Sequence, residues 1–209
     1  MYIPEIFKET NPERISALIE DNSFGMLITA PEGVPFVTHL PFLFKQSDGS
    51  KGRLLGHMAK ANPHWQHFAS GAEVLVVFQG PHAYVSPSLH LSSGVPTWNY
   101  AVAHLRGKPR IFDDESELIV LLKQLSHVHE SLMPNPYELN LSSERYAKLF
   151  NFIVGFEIEI TDIQAKFKLS QNRPIVEQLR VIDDFSQSGD QIEAAVAILM
   201  LEAIPAQPK

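Results

Sequence analysis

The sequence predicts an α+β fold, with a sheet or barrel at its centre and helices toward both ends. Three patterns carry that expectation. Glu73-Val-Leu-Val-Val-Phe-Gln79 is a short, nearly continuous apolar run rich in valine, as expected of a strand buried on both faces. Residues 154–160 set Phe156, Ile158 and Ile160 against Glu157 and Glu159, the alternation of a strand with one wet face. Helical spacing appears instead near the start, where Ile15, Leu18 and Ile19 share a face, and near the end, at 194–201.

Each element follows from local signals. Asn11-Pro12 opens the first helix, with a capping side chain followed by a residue suited to the first helical position. Strands are predicted at 25–29 and 36–44, separated by a turn at Pro31-Glu32-Gly33; Pro41 marks an edge or a bulge. A polar turn at 46–52 leads into a strand at 53–58. Asn62-Pro63 repeats the capped start and opens a short helix through Phe68. After the valine run, Gly80-Pro81 predicts a turn and 83–86 another short strand. Residues 87–96 read as a loop. Residues 97–112 read as a long strand or hairpin, with Gly107-Lys108-Pro109 as the possible interruption. Asp113 or Asp114 caps a helix whose Leu118, Leu121, Leu122 and Leu125 share a face. A further helix is expected over 143–152, and two helices close the chain from about 174 to 204. No repeat or linker divides the 209 residues, so a single domain is expected.

Composition narrows the function classes. Hydrophobic residues make up 44% and charged residues 20%, as in ordinary globular proteins. Seventeen basic residues face twenty-four acidic ones, a net charge of −7, which argues against a strongly basic nucleic-acid binder while allowing a local patch. Cysteine is absent, which excludes disulfides, a cysteine nucleophile and thiolate-bound metals. The longest apolar run, 194–201, has eight residues, whereas a bilayer span needs about 20. Met1-Tyr2-Ile3-Pro4-Glu5 has no basic cap or apolar core of an export signal, so a cytoplasmic protein is expected.

Several polar segments are candidate sites. His64 and His67 are three apart and could converge, but no third metal ligand stands nearby, and His127 and His129 point to different helix faces; no metal site is expected. Gly-x-Ser-x-Gly and glycine-rich phosphate loops are absent. Residues 56–65 are more informative. A strand ends near His57 and a helix begins near Asn62, with Lys60 between them. Backbone N–H groups at a helix start, a lysine and two hydrogen-bonding side chains suit a phosphate. The plain alternative is a capping Asn62 and a solvated Lys60. Thr38-His39, Gln79 and Trp98-Asn99-Tyr100 place polar and aromatic groups at strand ends, where a flat ligand or ordinary core packing would both use them. The basic segment Lys166–Arg173 would touch phosphate, a flavin edge or DNA backbone; the plain alternative is a solvated loop.

Taken together, Met1-Tyr2-Ile3-Pro4, His39-Leu40-Pro41, Gly56-His57-Met58-Ala59-Lys60-Ala61-Asn62-Pro63, the segment from Val77 to Ser88, Val95-Pro96-Thr97-Trp98-Asn99-Tyr100 and Lys168-Leu169-Ser170-Gln171-Asn172-Arg173-Pro174 resemble the PaiB family, FMN-binding negative transcriptional regulators. The motifs keep the family's order over nearly the whole chain. The resemblance implies an FMN-binding split β-barrel with peripheral helices, related to pyridoxamine-phosphate-oxidase-like proteins. It implies a homodimer with flavin sites at the subunit interface. It places His57, Lys60 and Asn62 at the FMN phosphate and Thr38 and His39 near the isoalloxazine ring. Gln79, Trp98 and Asn99 would come from the other subunit, and Lys168, Gln171 and Arg173 would close the site. The sequence departs from the family after Ser88. Leu89-His90-Leu91-Ser92-Ser93-Gly94 replaces an aromatic pair and a longer loop; if that loop covers the flavin, weaker binding or a different substrate face follows. The repressor role rests on resemblance alone, since no helix-turn-helix with a basic helix is visible and the charge of −7 does not favour DNA. A flavin-dependent oxidoreductase acting on a small molecule, with His39 or His57 as proton donor, is the alternative, and a flavin carrier or redox sensor without turnover is another.

Overall fold

A computed structural model describes residues 1–31, 33–46, 50–141 and 148–205. In chain order its strands are β1 (Lys8–Glu9), β2 (Phe24–Thr29), β3 (Phe36–Pro41), β4 (Leu43–Lys45), β5 (Arg53–Ala59), β6 (Val74–Val85), β7 (Thr97–Phe112) and β8 (Ile153–Lys168). The helices are α1 (Pro12–Asp21), α2 (Glu115–Glu130), α3 (Ile175–Gln187) and α4 (Gln191–Ala203), with an eight-residue 3-10 helix at Pro63–Ser70. The strands form one sheet in the order β3-β2-β6-β7-β8-β5-β4, with β1 paired to β8. The residues cluster into two compact units. The first comprises Met1–Asp21, Gln79–Ala103 and Gln164–Lys209; the second comprises Asn22–Phe78 and His104–Ile163.

The second unit is built on antiparallel pairs. Leu27 of β2 lies opposite Thr38 of β3, and His57 of β5 opposite Gly155 of β8. Phe42 meets Phe78 and Phe156 edge to face at 5.5 and 5.9 Å, and Phe68 meets Phe156 at 5.8 Å, the geometry aromatic quadrupoles prefer. Asp114 caps α2 by accepting the N–H groups of Ser116 and Glu117. That helix buries Leu118, Leu121 and Leu125 against Leu43, Phe112 and Phe150. Each fully buried leucine contributes roughly 1.5–3 kcal/mol.

In the first unit Asn11 caps α1 as expected, accepting the Glu13 and Arg14 N–H groups at 2.8 and 3.2 Å. Ile15, Leu18 and Ile19 are buried. The apolar run of α4 buries Val196, Ala197 and Met200 but leaves Ile198 and Leu201 half exposed, because eight successive residues wrap past one face of a helix.

Two glycine-proline signals predicted breaks where the strands in fact continue. β6 runs without a turn through Gly80-Pro81. A side chain at residue 80 would start 2.4 Å from the Leu18 side chain, so this glycine makes room for α1 rather than turning the chain. Gly107 likewise sits inside the 16-residue β7, where a Cβ would lie 2.3 Å from the Glu159 carbonyl oxygen. β8 extends eight residues beyond Ile160 and takes in the start of the basic segment. Of the helix expected over 143–152, residues 143–147 lie outside the described residues, and Leu149–Phe152 form one 3-10 turn. Residue 32 of the first turn and residues 47–49 of the second also lie outside them; Gly33 closes its turn at φ +82° with an N–H bond to Ala30.

Candidate functional site

The strand-turn-helix singled out by the sequence folds locally as its residue types require. β5 ends at Ala59, and the Lys60 N–H donates to the Phe152 carbonyl at 2.8 Å. Asn62 caps the 3-10 helix, its Oδ1 accepting the His64 N–H at 3.0 Å, while its Nδ2 donates to the Thr38 hydroxyl at 3.2 Å. Thr38 and Asn62 are therefore in contact. Both polar ends of Asn62 already have partners within the protein. His39, the next residue on β3, is exposed and stacks on Phe24 with ring centroids 6.2 Å apart.

Lys60 lines a pocket of about 410 Å³ with Trp65, Ile111, Phe112, Asp113 and Val154, all from the second unit. That volume lies within the range of ligand clefts. The Trp65 indole N–H donates to the Lys60 carbonyl at 3.0 Å and fixes one wall. Lys60 Nζ lies 3.8 Å from Asp113, with side-chain exposures of 38% and 74%. A pair so long and so exposed contributes little and yields readily to a stronger anion. His57, three residues earlier, keeps its Nδ1 buried and without a hydrogen-bond partner among the described residues. Burial holds its pKa below the ordinary value, so the ring is neutral at pH 7. Trp65, Phe112 and Asp113 were not visible as site residues. Phe112 and Asp113 lie about fifty residues from Lys60 in sequence, and Trp65 reads equally well as core.

His64 and His67 do converge, on a hydroxyl. In a 3-10 helix residues i and i+3 eclipse, and both rings meet the Thr29 hydroxyl, at 2.9 Å from His64 Nε2 and 2.8 Å from His67 Nδ1. His64 Nδ1 reaches the Thr38 hydroxyl at 2.7 Å. The His64 side chain is fully buried, and its pKa is lowered to about 4, chiefly by burial and then by His67. Among the described residues no group of three or more histidine or carboxylate ligands converges on one point.

The remaining assigned residues belong to the first unit. Trp98, 52% exposed, contacts the rings of Tyr84 and His82. Gln79 is exposed, its amide 3.3 Å from His82 Nδ1. Asn99 is buried, accepting the Ser170 hydroxyl at 3.0 Å and donating to the Met200 sulfur at 3.2 Å. Lys168 donates to the Thr97 hydroxyl and, at 2.7 Å, to the Trp98 carbonyl. Burial and then the neighbouring Lys166 charge lower its pKa. Gln171 bridges the Leu169 N–H and the Phe167 carbonyl, shaping a turn in which Ser170 has φ +65°. Arg173 lies 3.8 Å from Glu177. Asn99 and Gln171 thus brace the unit, whereas Trp98 and Gln79 present open surface.

The family model described as "Putative FMN-binding domain" matches residues 1–162. The chain is 38% identical over 211 residues to "Protease synthase and sporulation protein PAI 2" of Bacillus subtilis (strain 168), covering 99% of this chain and 100% of that protein. It is 34% identical over 243 residues to an uncharacterised protein of Emericella nidulans, covering 97% of each. Among solved structures, the FAD and heme binding protein from Mycobacterium smegmatis superposes with a TM-score of 0.57 at 18% identity, covering 82% of this chain and 78% of that one. This last likeness concerns the fold, a split β-barrel with peripheral helices.

Proposed function

The chain belongs to the PaiB family of FMN-binding domains, and from that premise we propose that it binds FMN in the second unit, with the phosphate at the turn carrying Lys60. The observation that carries the proposal is the pocket itself. Its walls are Trp65, Ile111, Phe112 and Val154, and Lys60 is its cation. A lysine ammonium set beside apolar walls suits the phosphate end of a ligand whose remainder is largely apolar. The residues fit the group on a second count as well: the orphaned Nδ1 of His57 is a buried polar atom that still lacks a partner among the described residues. Asp113 opposes an anion, and binding would separate it from Lys60.

Bound FMN supplies two-electron redox chemistry; the protein positions the ring and tunes it. Thr38 and His39 would stand at its isoalloxazine end. Gln79, Trp98 and Asn99 would come from the second subunit of a homodimer, and Lys168, Gln171 and Arg173 would close the site; Trp98 and Gln79 are exposed, which supports their part in it. Asn62 acts through its cap and through Thr38. The biological role carried over from the family is negative transcriptional regulation in the cytoplasm. No described helix is long and apolar enough to cross a membrane. The oxidoreductase reading is favoured by one observation, the imidazole–hydroxyl chain that ends at Thr38.

Titration of the flavin-free protein with FMN, followed by Trp65 fluorescence, tests the binding reading. Quenching that saturates at one FMN per chain and is weakened in Lys60→Ala supports it. Saturable binding unaffected by Lys60→Ala and by Trp65→Phe would remove this pocket from the site. Gel shifts on the protein's own promoter test the regulatory role: direct binding requires a complex that weakens steeply with salt.

A further inference from the structure

His64 is fully buried in the second unit, yet both of its ring nitrogens meet hydroxyl groups. The full chain runs Asn62, Thr38, His64, Thr29, His67, with links of 3.2, 2.7, 2.9 and 2.8 Å. Phe36 and Phe68 shield it; the Phe36 ring centroid is 4.9 Å from that of His64 and 5.3 Å from that of His67, and Phe68 is 6.2 Å from His64. His67 is only half buried, so the chain joins a group near solvent to Thr38 on β3.

Donor rules allow the chain two states in which every link from Thr38 to His67 points the same way. The Asn62 Oδ1 accepts a backbone N–H, so its Nδ2 must be the end that faces Thr38, and it can only donate. In one state Thr38 donates to His64 Nδ1, His64 Nε2–H donates to Thr29, and Thr29 donates to His67 Nδ1. In the other, a protonated His67 donates through Nδ1 to Thr29, Thr29 donates to His64 Nε2, and His64 Nδ1–H donates to Thr38. The Thr38 hydroxyl proton is then directed at an acceptor outside the chain. His64 is neutral in both states, as its lowered pKa favours.

We propose that these side chains form a proton relay between His67 and a redox ring seated beside Thr38. The proposal rests on the reading that FMN binds with its isoalloxazine ring at Thr38. The proton balance is complete. His67 gives its Nδ1 proton to Thr29, Thr29 gives its own to His64 Nε2, His64 gives its Nδ1 proton to Thr38, and Thr38 gives its hydroxyl proton to the acceptor. His67 ends neutral and the acceptor gains one proton. A reduced nicotinamide is the class of co-reactant that creates such an acceptor. Hydride transfer would bring two electrons with one proton, and Thr38 would hold the second proton that the ring requires. His64 and His67 are thereby assigned as relay residues and Thr29 as the connecting hydroxyl. None of the three belongs to the phosphate turn's donor set.

Three measurements test the relay, and they separate it from the reading beneath it. Nitrogen-15 imidazole spectra of the flavin-free protein at pH 8 should show His64 neutral with its proton on Nε2; a proton on Nδ1, or a charged ring, overturns the chain. Addition of FMN should then shift the His64 signals. Binding without any shift overturns the placement of the ring at Thr38, and the relay with it. Anaerobic stopped-flow reduction by NADH, followed by the absorbance change from anionic to neutral reduced flavin, reads the proton's arrival. In Thr29→Val this phase should slow at least tenfold while FMN affinity stays within twofold, and Thr29→Ser should restore it. His67→Gln should give the same slowing and guards against misfolding of the valine variant. Unchanged protonation rates in both variants with FMN bound overturn the relay and leave the binding reading intact.

Discussion

His64 in the second unit and His90 in the first are both buried imidazoles, with a residue exposure of 0% for His64 and a side-chain exposure of 1% for His90. Only His64 has a hydrogen-bond partner on each ring nitrogen. His90 Nδ1 comes within 3.1 Å of Glu177 Oε2, but without hydrogen-bonding geometry, and neither of its nitrogens is bonded to a described residue. Glu177 in turn accepts the Ser92 hydroxyl at 2.7 Å and the Ser92 N–H at 3.1 Å, with Arg173 at 3.8 Å. The difference shows two ways of keeping an imidazole inside a protein. Hydroxyls of either polarity hold a neutral ring and let protons pass. A carboxylate held by the Ser92 hydroxyl and N–H with an arginine nearby fixes charge, and here it ties the loop carrying His90 and Ser92 to α3. Arg173, from the basic segment that follows β8, completes that anchor.

Substitution should tell the two buried imidazoles apart. The largest expected effect is at His64. His64→Ala empties a fully buried site and strands two hydroxyls, and urea unfolding should show a loss of about 3–4 kcal/mol. Lys60→Ala leaves stability nearly unchanged but should weaken FMN binding by about 1.5–3 kcal/mol, the scale of a hydrogen bond to a charged group; an equal dissociation constant in the folded variant would remove Lys60 from the site.

Acid should separate the two clusters. The folded pKa of His64 lies near 4 against an ordinary 6.5, so the unfolded chain binds the extra proton and stability falls as pH drops from about 6.5 toward 4. Glu177 has a depressed pKa, first because the Ser92 hydroxyl bonds its charged form. Its contribution is present above the ordinary carboxylate value of 4.5 and is lost below it. Unfolding midpoints measured against pH should thus show two descending segments, with His64→Gln removing the upper and Glu177→Gln the lower. The smallest effect is expected for Ser92→Ala, which removes one of two bonds to Glu177; its melting temperature should fall by less than half the drop seen in His64→Ala.

Much of the fold was legible because burial imposes periodicity. The strand at residues 154–160, the Asn11 and Asp114 caps and the leucine face of α2 appear where their patterns predict. Glycine was the main source of error. At residues 80 and 107 it answers to a neighbour packed against the strand, Leu18 in one case and the Glu159 carbonyl in the other. That constraint comes from chain distant in sequence and leaves no local mark. In the candidate site, the turn at Lys60 and Asn62 could be read from its cap and its charge. Phe112 and Asp113 could not, because only folding brings β7 to that turn. The spacing of His64 and His67 was visible, but their shared partner Thr29 was not, since it reaches them from β2, about 35 residues earlier.

The visible absorption spectrum of the freshly purified protein shows at once whether this chain holds FMN. FMN binding requires a yellow protein that releases, on heating, one FMN per chain identified by mass. A colourless protein that also takes up no added FMN would contradict it.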